Sequence, residues 1–382
     1  MIQVQRSSLA TSARLRGEAD QAPATVPTAA SLDAVAGDGR ANFDVLFGSP
    51  SVQRFYADSN GGGGNTRSSR TTDPLVGVAL PGQKDVTVQR SFGDPRGYET
   101  RNHAIAWARA AGSDRAMVVR GNDGRWHAVE TSVVGKDADK GTGAVKTAIQ
   151  VGKVDQAQYD ALKADAMRNN DPAKWKTFAA YALGLPESEI NVIGKGDTPA
   201  SDKVNINLSP DFDAEGRTAG FDPKRPAWVQ LGPAAFDRPA NAVSTLAHEE
   251  VHAEHRRLTG EIYKKYAESA HGSDTFRQWA AKHIKDVRSV DIVAGYEDGT
   301  TAATELEAHV EAARVSFASG DLTQARTDLN KVATLRNLPL LQTQLPSIEA
   351  LKTMRDSLPP DARKVFDEVA GKANRKSVLN GL

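Results

Sequence analysis

Cysteine is absent from all 382 residues. That excludes disulfides, thiolate metal ligands and a cysteine nucleophile, and leaves imidazoles and carboxylates as the strong ligands for any metal. The fold therefore tolerates either redox compartment. An excess of charge is also missing: 48 basic residues balance 48 acidic ones, so no global field draws the chain to nucleic acid or to an anionic membrane surface. No run approaches the roughly 18 apolar residues of a membrane span, and the amino terminus lacks the apolar segment of a secretory signal. Nucleic acid and a membrane span are excluded from the expected partners. What is present, 39% hydrophobic and 25% charged residues, suffices for two ordinary domains and a sizeable core.

Acid is also missing locally. From Met1 to Gly17 there is no Asp or Glu, while Arg6, Arg14 and Arg16 stand among Ser, Thr and Ala, and small residues continue to Gly61-Gly62-Gly63-Gly64. Such a stretch cannot bury enough apolar area to order itself, so residues 1–80 read as a disordered leader. An uncleaved, Ser-rich, acid-poor leader resembles the export signals of proteins injected by type III secretion machinery; a transit peptide and a plain disordered tail are the other readings. Richness in Ala, Gly, Asp and Arg resembles that of a high-GC bacterium and favours the injected version. Secretion machinery or a chaperone is then the partner of the leader, and a cytoplasmic location is the alternative.

The chemistry concentrates in His248-Glu249-Glu250-Val251-His252. Residues four apart on an α-helix share a face, so two imidazoles can converge on one zinc ion. Glu249, rotated about 100° from His248, sits beside the ion's open position, where its carboxylate can take a proton from a water held there. Val243, Leu246, Ala247, Val251 and Leu258 form an apolar stripe at helical spacing, with Asp237 and Pro239 as cap and first-turn residue. The two histidines flank that stripe. Before the helix, Val204, Ile206 and Leu208 alternate with polar residues, and Trp228-Val229-Gln230-Leu231 ends at Gly232-Pro233, giving two short strands.

At this point the chain, over about Lys203 to Phe317, resembles the zincin superfamily, whose active-site helix follows a small twisted sheet with a substrate-binding edge strand. The run Leu246-Ala247-His248-Glu249-Glu250-Val251-His252-Ala253-Glu254-His255, with Gly260 after it, is most similar to compact zinc endopeptidases among bacterial toxins and injected effectors. Glu250 departs from the pattern, standing where an apolar side chain is usual. Metzincins need a Gly and a third His where this chain has His255 and Leu258, and thermolysin-type enzymes need a Glu about twenty residues downstream, where this chain has none between Glu268 and Glu297. Thr304-Glu305-Leu306-Glu307-Ala308-His309 instead resembles the ExxA signature of gluzincins, inside a helical pattern carrying Leu306, Val310, Ala313 and Phe317. The resemblance implies Glu305 as third ligand, with His309 in the place of a second-shell Asp or Asn. Glu307 is the runner-up, followed by Glu297 and Asp298. For the oxyanion donor the resemblance offers Tyr296 and His309, then His271 and His283.

His255 lies two turns, roughly 10 Å, along the axis from His248, too far for one ion to bind it together with both motif imidazoles. It reads as an exposed polar residue among Glu254, Arg256 and Arg257, or as a residue behind the ligands or facing substrate. Elsewhere, Val86 and Val88 suggest a strand, Thr100 to Ala111 a helix, and Ala116–Val119 with Trp126–Val129 a hairpin turning at Gly121–Gly124. His103 and His127 there read as structural histidines. Val154 to Ile190 reads as two helices broken at Asn169-Asn170-Asp171-Pro172. Asp211, Asp213, Glu215, Gly216 and Asp222 fall on positions of a calcium-loop template, with an acidic turn as the alternative. Gly135 to Gly143 lacks the order of a phosphate loop. Beyond Gly320 the pattern is helical, with Leu322, Ala325, Leu329, Val332, Val365 and Val369 at turn spacing and no visible chemistry.

The expected fold is α+β: a leader (1–80), a small α+β domain (81–150), a zincin-like catalytic domain (151–335) and a helical C-terminal region (336–382). The expected activity is zinc-dependent hydrolysis of a protein or peptide, with His248, His252 and Glu305 on Zn²⁺ and Glu249 as general base, in a secreted bacterial effector or toxin protease. The alternatives are a zinc amidase or peptidoglycan hydrolase and a non-catalytic interaction protein of the same fold.

Overall fold

Apolar alternation before position 131 forms the first sheet. In the computed structural model, which describes residues 88–382 apart from 95–96, 122–123, 132–148, 219–226, 287–288, 291, 295–301, 336–343, 376 and 381, β1 (Val88–Phe92), β2 (Ala116–Arg120), β3 (Trp126–Thr131) and β4 (Ile149–Gln150) pair antiparallel in the order β1-β3-β2-β4. The expected hairpin is the β2–β3 pair. Helix α1 (Arg101–Ala110) covers this sheet, and the Thr100 hydroxyl caps it by accepting from the His103 amide. The leader, Val86, Gly135–Gly143, Asp222, Tyr296, Glu297 and Asp298 lie outside the described residues.

The Asn-Asn-Asp-Pro break behaves as its residue types require. Helix α2 (Gln156–Asn169) stops at Asn170, whose φ of 50° is left-handed, and Asp171 then caps α3 (Pro172–Leu183) with Pro172 in the first turn. Gly184, at φ 72°, ends α3. The helical reading up to Ile190 overran: Ile190 opens β5 (Ile190–Ile193), whose four residues are too few to show a period. Arg109 locks the segments together, its guanidinium donating to the carbonyls of Val151, Gly152, Tyr181 and Ala182.

A second sheet follows. β5, β6 (Val204–Asn207) and β8 (Val229–Leu231) are parallel, and β7 (Gly216–Thr218) closes the order β5-β6-β8-β7 as an antiparallel edge. The alternation in β6 does not mark a solvent face. Asn205 is buried, donating to Ala200 O and Val229 O and accepting from Ala200 N and the Asn191 side chain. The long helix α4 (Pro239–Glu268) comes next and carries the HExxH motif. Asp237 is not its cap: Arg238 is the capping position without a side-chain bond, and Asp237 instead receives Lys163. Pro239 does occupy the first turn.

The remaining helices are α5 (Phe276–His283), α6 (Ala302–Ala318), α7 (Leu322–Thr334), α8 (Gln344–Ser357) and α9 (Pro360–Lys372). Helix α6 packs along α4, with α7 on its other side. One core unites both sheets with α1, α3 and α4 through Trp107, Trp175, Phe178, Phe236 and Leu246, while Leu306, Val310 and Ala313 of α6 join α7 to α9 in another. Burying each such side chain contributes roughly 1.5–3 kcal/mol. Among the described residues no helix is long and apolar enough to cross a membrane.

A buried polar knot ties α1 to α6. Glu311 accepts from His103 Nε2 at 2.9 Å, Trp107 Nε1 at 2.7 Å and Arg314 Nη1 at 2.7 Å, with the Tyr98 ring tilted against that of His103 at 4.3 Å. Burial opposes its charge, yet Arg314 and the hydrogen bonds from His103 and Trp107 hold its pKa down to about 2. His103 is raised in turn: burial disfavours its charge, and Glu311 more than offsets that. Because the folded pKa of Glu311 lies below its unfolded value, its contribution is present above about pH 4.5 and is lost as pH falls toward 2. Glu311→Gln should therefore destabilise the fold at pH 7 by about 3–5 kcal/mol. The difference from wild type should shrink in chemical-denaturation curves recorded between pH 4.5 and 2.

Candidate metal centre

Helical spacing and helix packing together build the site. On α4, His248 and His252 are one turn apart, with their Nε2 atoms 3.1 Å from each other. Helix α6 lays Glu305 across them: Oε2 is 3.4 Å from His248 Nε2, and Oε1 is 3.4 Å from His252 Nε2. Each imidazole thus meets its own oxygen of the Glu305 carboxylate, and these side chains could hold a metal ion. The side chains are 15%, 10% and 30% exposed, which puts the cluster at the edge of the core and open on the carboxylate side.

Proton affinities fit the same ligand chemistry. Burial resists the charge of Glu305, but hydrogen bonds from His248 and His252 hold its carboxyl well below the usual range. Burial lowers His248, and Glu305 with Glu249 more than reverses that, so its pKa is raised. His252 stays lowered, by burial and by the neighbouring His248. Two neutral-leaning or neutralisable imidazoles and one anionic carboxylate are a donor set that zinc takes, and the ion's charge would replace the proton on His248.

The two glutamates that competed for third ligand are separated by the geometry. Glu307 turns away from the imidazole pair and meets His255, Oε2 to Nε2 at 3.1 Å. His255 is thus not the exposed residue its charged neighbours suggested: it is fully buried between α4 and α6. His309 comes to the cluster, with Nε2 3.5 Å from Glu305 Oε2 and its ring 4.5 Å from that of His248. Burial and the charge of His248 press its pKa down to about 3. His271 and His283 do not join, stacking on Tyr266 and Trp279 in a separate aromatic cluster. The calcium template does not converge on a centre among the described residues: Asp211 pairs with Lys195 and Glu215 with Lys331.

Glu249 is held by the edge strand. Thr218 Oγ1 donates to Glu249 Oε2 at 2.6 Å and lies 3.1 Å from the Glu249 carbonyl. Gly216 faces the carboxylate so closely that a Cβ there would stand 2.5 Å from Oε1. The strand itself is pinned, Arg256 donating to Thr218 O at 3.2 Å and Lys331 reaching Glu215 at 2.7 Å. Thr218 and Lys331 carried no local signal in the sequence, and Gly216 stood out only as part of the calcium-loop template; His309 did carry one, standing four residues after Glu305 at the spacing of the histidine pair. Glu250, the departure from the zincin pattern, is buried, with Oε2 making no hydrogen bond among the described residues; its charge raises the pKa of His103.

No family model matches the chain, and neither a curated protein nor a solved structure matches it. The site is therefore read from its own geometry. Removing Glu305 (Glu305→Ala) should weaken zinc binding by more than about 100-fold, whereas Glu307→Ala should change it by less than about 10-fold, below the 10–100-fold typical of groups that orient a ligand. Competition with a chromogenic chelator measures both. Equal losses in the two variants would contradict the assignment.

Proposed function

We propose that the chain is a zinc-dependent peptide-bond hydrolase with a zincin-like catalytic core, acting on a protein or peptide as a secreted bacterial effector. The observation that carries this reading is the meeting of His248, His252 and Glu305 at donor separations of 3.1–3.4 Å, next in sequence to a buried and hydrogen-bonded Glu249. The composition of residues 1–17, with Ser, Thr and Arg but no Asp or Glu, supports the effector part of it.

Zinc held by these three residues would supply Lewis acidity toward a substrate carbonyl and a water activated near neutral pH. Glu249 follows His248 by one residue, so its carboxylate is rotated off the ligand face. It accepts the proton of the attacking water and returns it to the leaving amine. Thr218, by donating to Oε2, fixes the carboxylate's orientation, and the missing side chain of Gly216 gives Oε1 its space. β7 is the edge of its sheet and runs beside Glu249, the arrangement in which the resembled family receives an extended substrate strand. Burial of Glu249 and Thr218 excludes bulk water from the proton-transfer path.

The test uses zinc-loaded full-length chain and fluorescein-labelled casein together with a panel of folded host proteins. Glu249→Gln should keep its zinc and lose hydrolysis by about 10²- to 10⁴-fold, the range for a general acid–base group. Full activity in a Glu249→Gln protein that still binds metal would end the reading. Gly216→Ala should also retain zinc while turnover falls by about 10-fold or more, because the new methyl displaces the carboxylate and a small misplacement of a reacting group is costly. Wild-type turnover in that variant would show that the close approach of Gly216 is immaterial.

A further inference from the structure

Two helices face each other here with the same spacing of donors. α4 presents His248 and His252, four residues apart, and α6 presents Glu305 and His309, also four residues apart. On packed helices such pairs can face one another. The pairing in the chain is not only formal. Donor atoms of His248, Glu305 and His309 all lie within 4.8 Å of one another, Glu305 Oε2 is shared between His248 at 3.4 Å and His309 at 3.5 Å, and Oε1 turns to His252. Glu249, the other nearby carboxylate, is engaged by Thr218.

We propose that His309 is a fourth protein donor to the resting metal, closing the sphere as His₃–carboxylate, and that it must swing off before substrate can reach the ion. This rests on the metal reading above and adds its regulation. Catalytic zinc sites keep a position open while structural ones are closed by four protein ligands; a centre that can be either is latent when His309 is on and competent when it is off. The side chain suits a removable ligand. It is 20% exposed, the most accessible of the three imidazoles, whose partners His248 and His252 are 15% and 10% exposed. It also sits on α6 instead of on the motif helix, so it can leave without disturbing the His248–His252 pair.

The experiment needs no substrate. Zinc-loaded wild-type full-length chain is examined by X-ray absorption, which counts imidazoles: three are expected and two would overturn the proposal, and a count that stays at two in His309→Ala leaves the His248, His252 and Glu305 site intact. In parallel, the cobalt-substituted wild type and His309→Ala and His309→Gln variants are titrated with azide, followed by the visible spectrum. Freed of the fourth donor, both variants should bind azide at least about 10-fold more tightly than wild type and hold zinc at least about 10-fold more weakly. Equal azide affinity in wild type and variants overturns the proposal. Melting curves of the metal-free proteins separate loss of a ligand from loss of fold, and if the variants do not fold the wild-type imidazole count decides. A wild type that binds neither zinc nor cobalt refutes the metal reading itself and this proposal with it.

Discussion

Helix α6 lies between α4 and the C-terminal helices, and its lateral position decides whether a carboxylate reaches the histidine pair. Its residues divide by face. Leu306, Val310 and Ala313 pack toward α7, α8 and α9, Glu305 and His309 look to the motif imidazoles, Glu307 to His255, and Glu311 to α1. The Glu311 contact is buried, the imidazoles of the other two are buried or nearly so, and an ionisable group taken from water without a partner costs several kcal/mol. A slide of one turn, about 5.4 Å, would break all three polar pairings at once. The register of α6 against α4 is thereby specified by matched charge as well as by packing, and the dimensions of the donor cluster follow from it.

The second dependency runs through β7. A three-residue strand at a sheet edge has few ladder bonds to hold it, and on its own would be a poor platform for orienting a carboxylate. Here it is tied from both neighbours: Arg256 of α4 donates to Thr218 O, and Lys331 of α7 binds Glu215. Lys331 also disfavours protonation of His248 and His309 by its charge, while Glu215 neutralises much of that charge locally. The pair therefore steadies the strand while Lys331 still favours the neutral form of both imidazoles.

What was legible in the sequence is what is local. The helix beginning at Thr100, the break at Asn169-Asn170-Asp171-Pro172, the hairpin of β2 and β3, and the helical pairing of His248 with His252 are each written within a few residues. Glu305 was reached through resemblance to a signature, since fifty residues of chain separate it from its partners and no period links them. Where tertiary packing overrode local character, the reading failed. His255 sits among Glu254, Arg256 and Arg257 and so looked solvated, but α6 covers it. Asn205 stood among the polar residues alternating with Val204, Ile206 and Leu208, yet it is buried in a satisfied network. β5 and β7, at four and three residues, are shorter than any periodic signal, and Thr218 could be tied to Glu249 only by knowing how that sheet lies on α4.

The C-terminal helices, which showed no chemistry as sequence, acquire a role from this arrangement. They supply the apolar face against which α6 is pressed onto α4, through Leu329, Val332, Leu351 and Phe366, and they supply Lys331 to the strand that holds Glu249. Loss of that backing would expose the apolar stripe of α6 to water, at roughly 25 cal/mol for each Å² uncovered, and would remove the force that keeps Glu305 against two imidazoles competing for the same protons. A motif of five residues places His248, Glu249 and His252 on one helix without help. Glu305 and the hydrogen bond that orients Glu249 come from elsewhere in the chain, on α6 backed by the C-terminal helices and on β7 tied by Lys331 to Glu215.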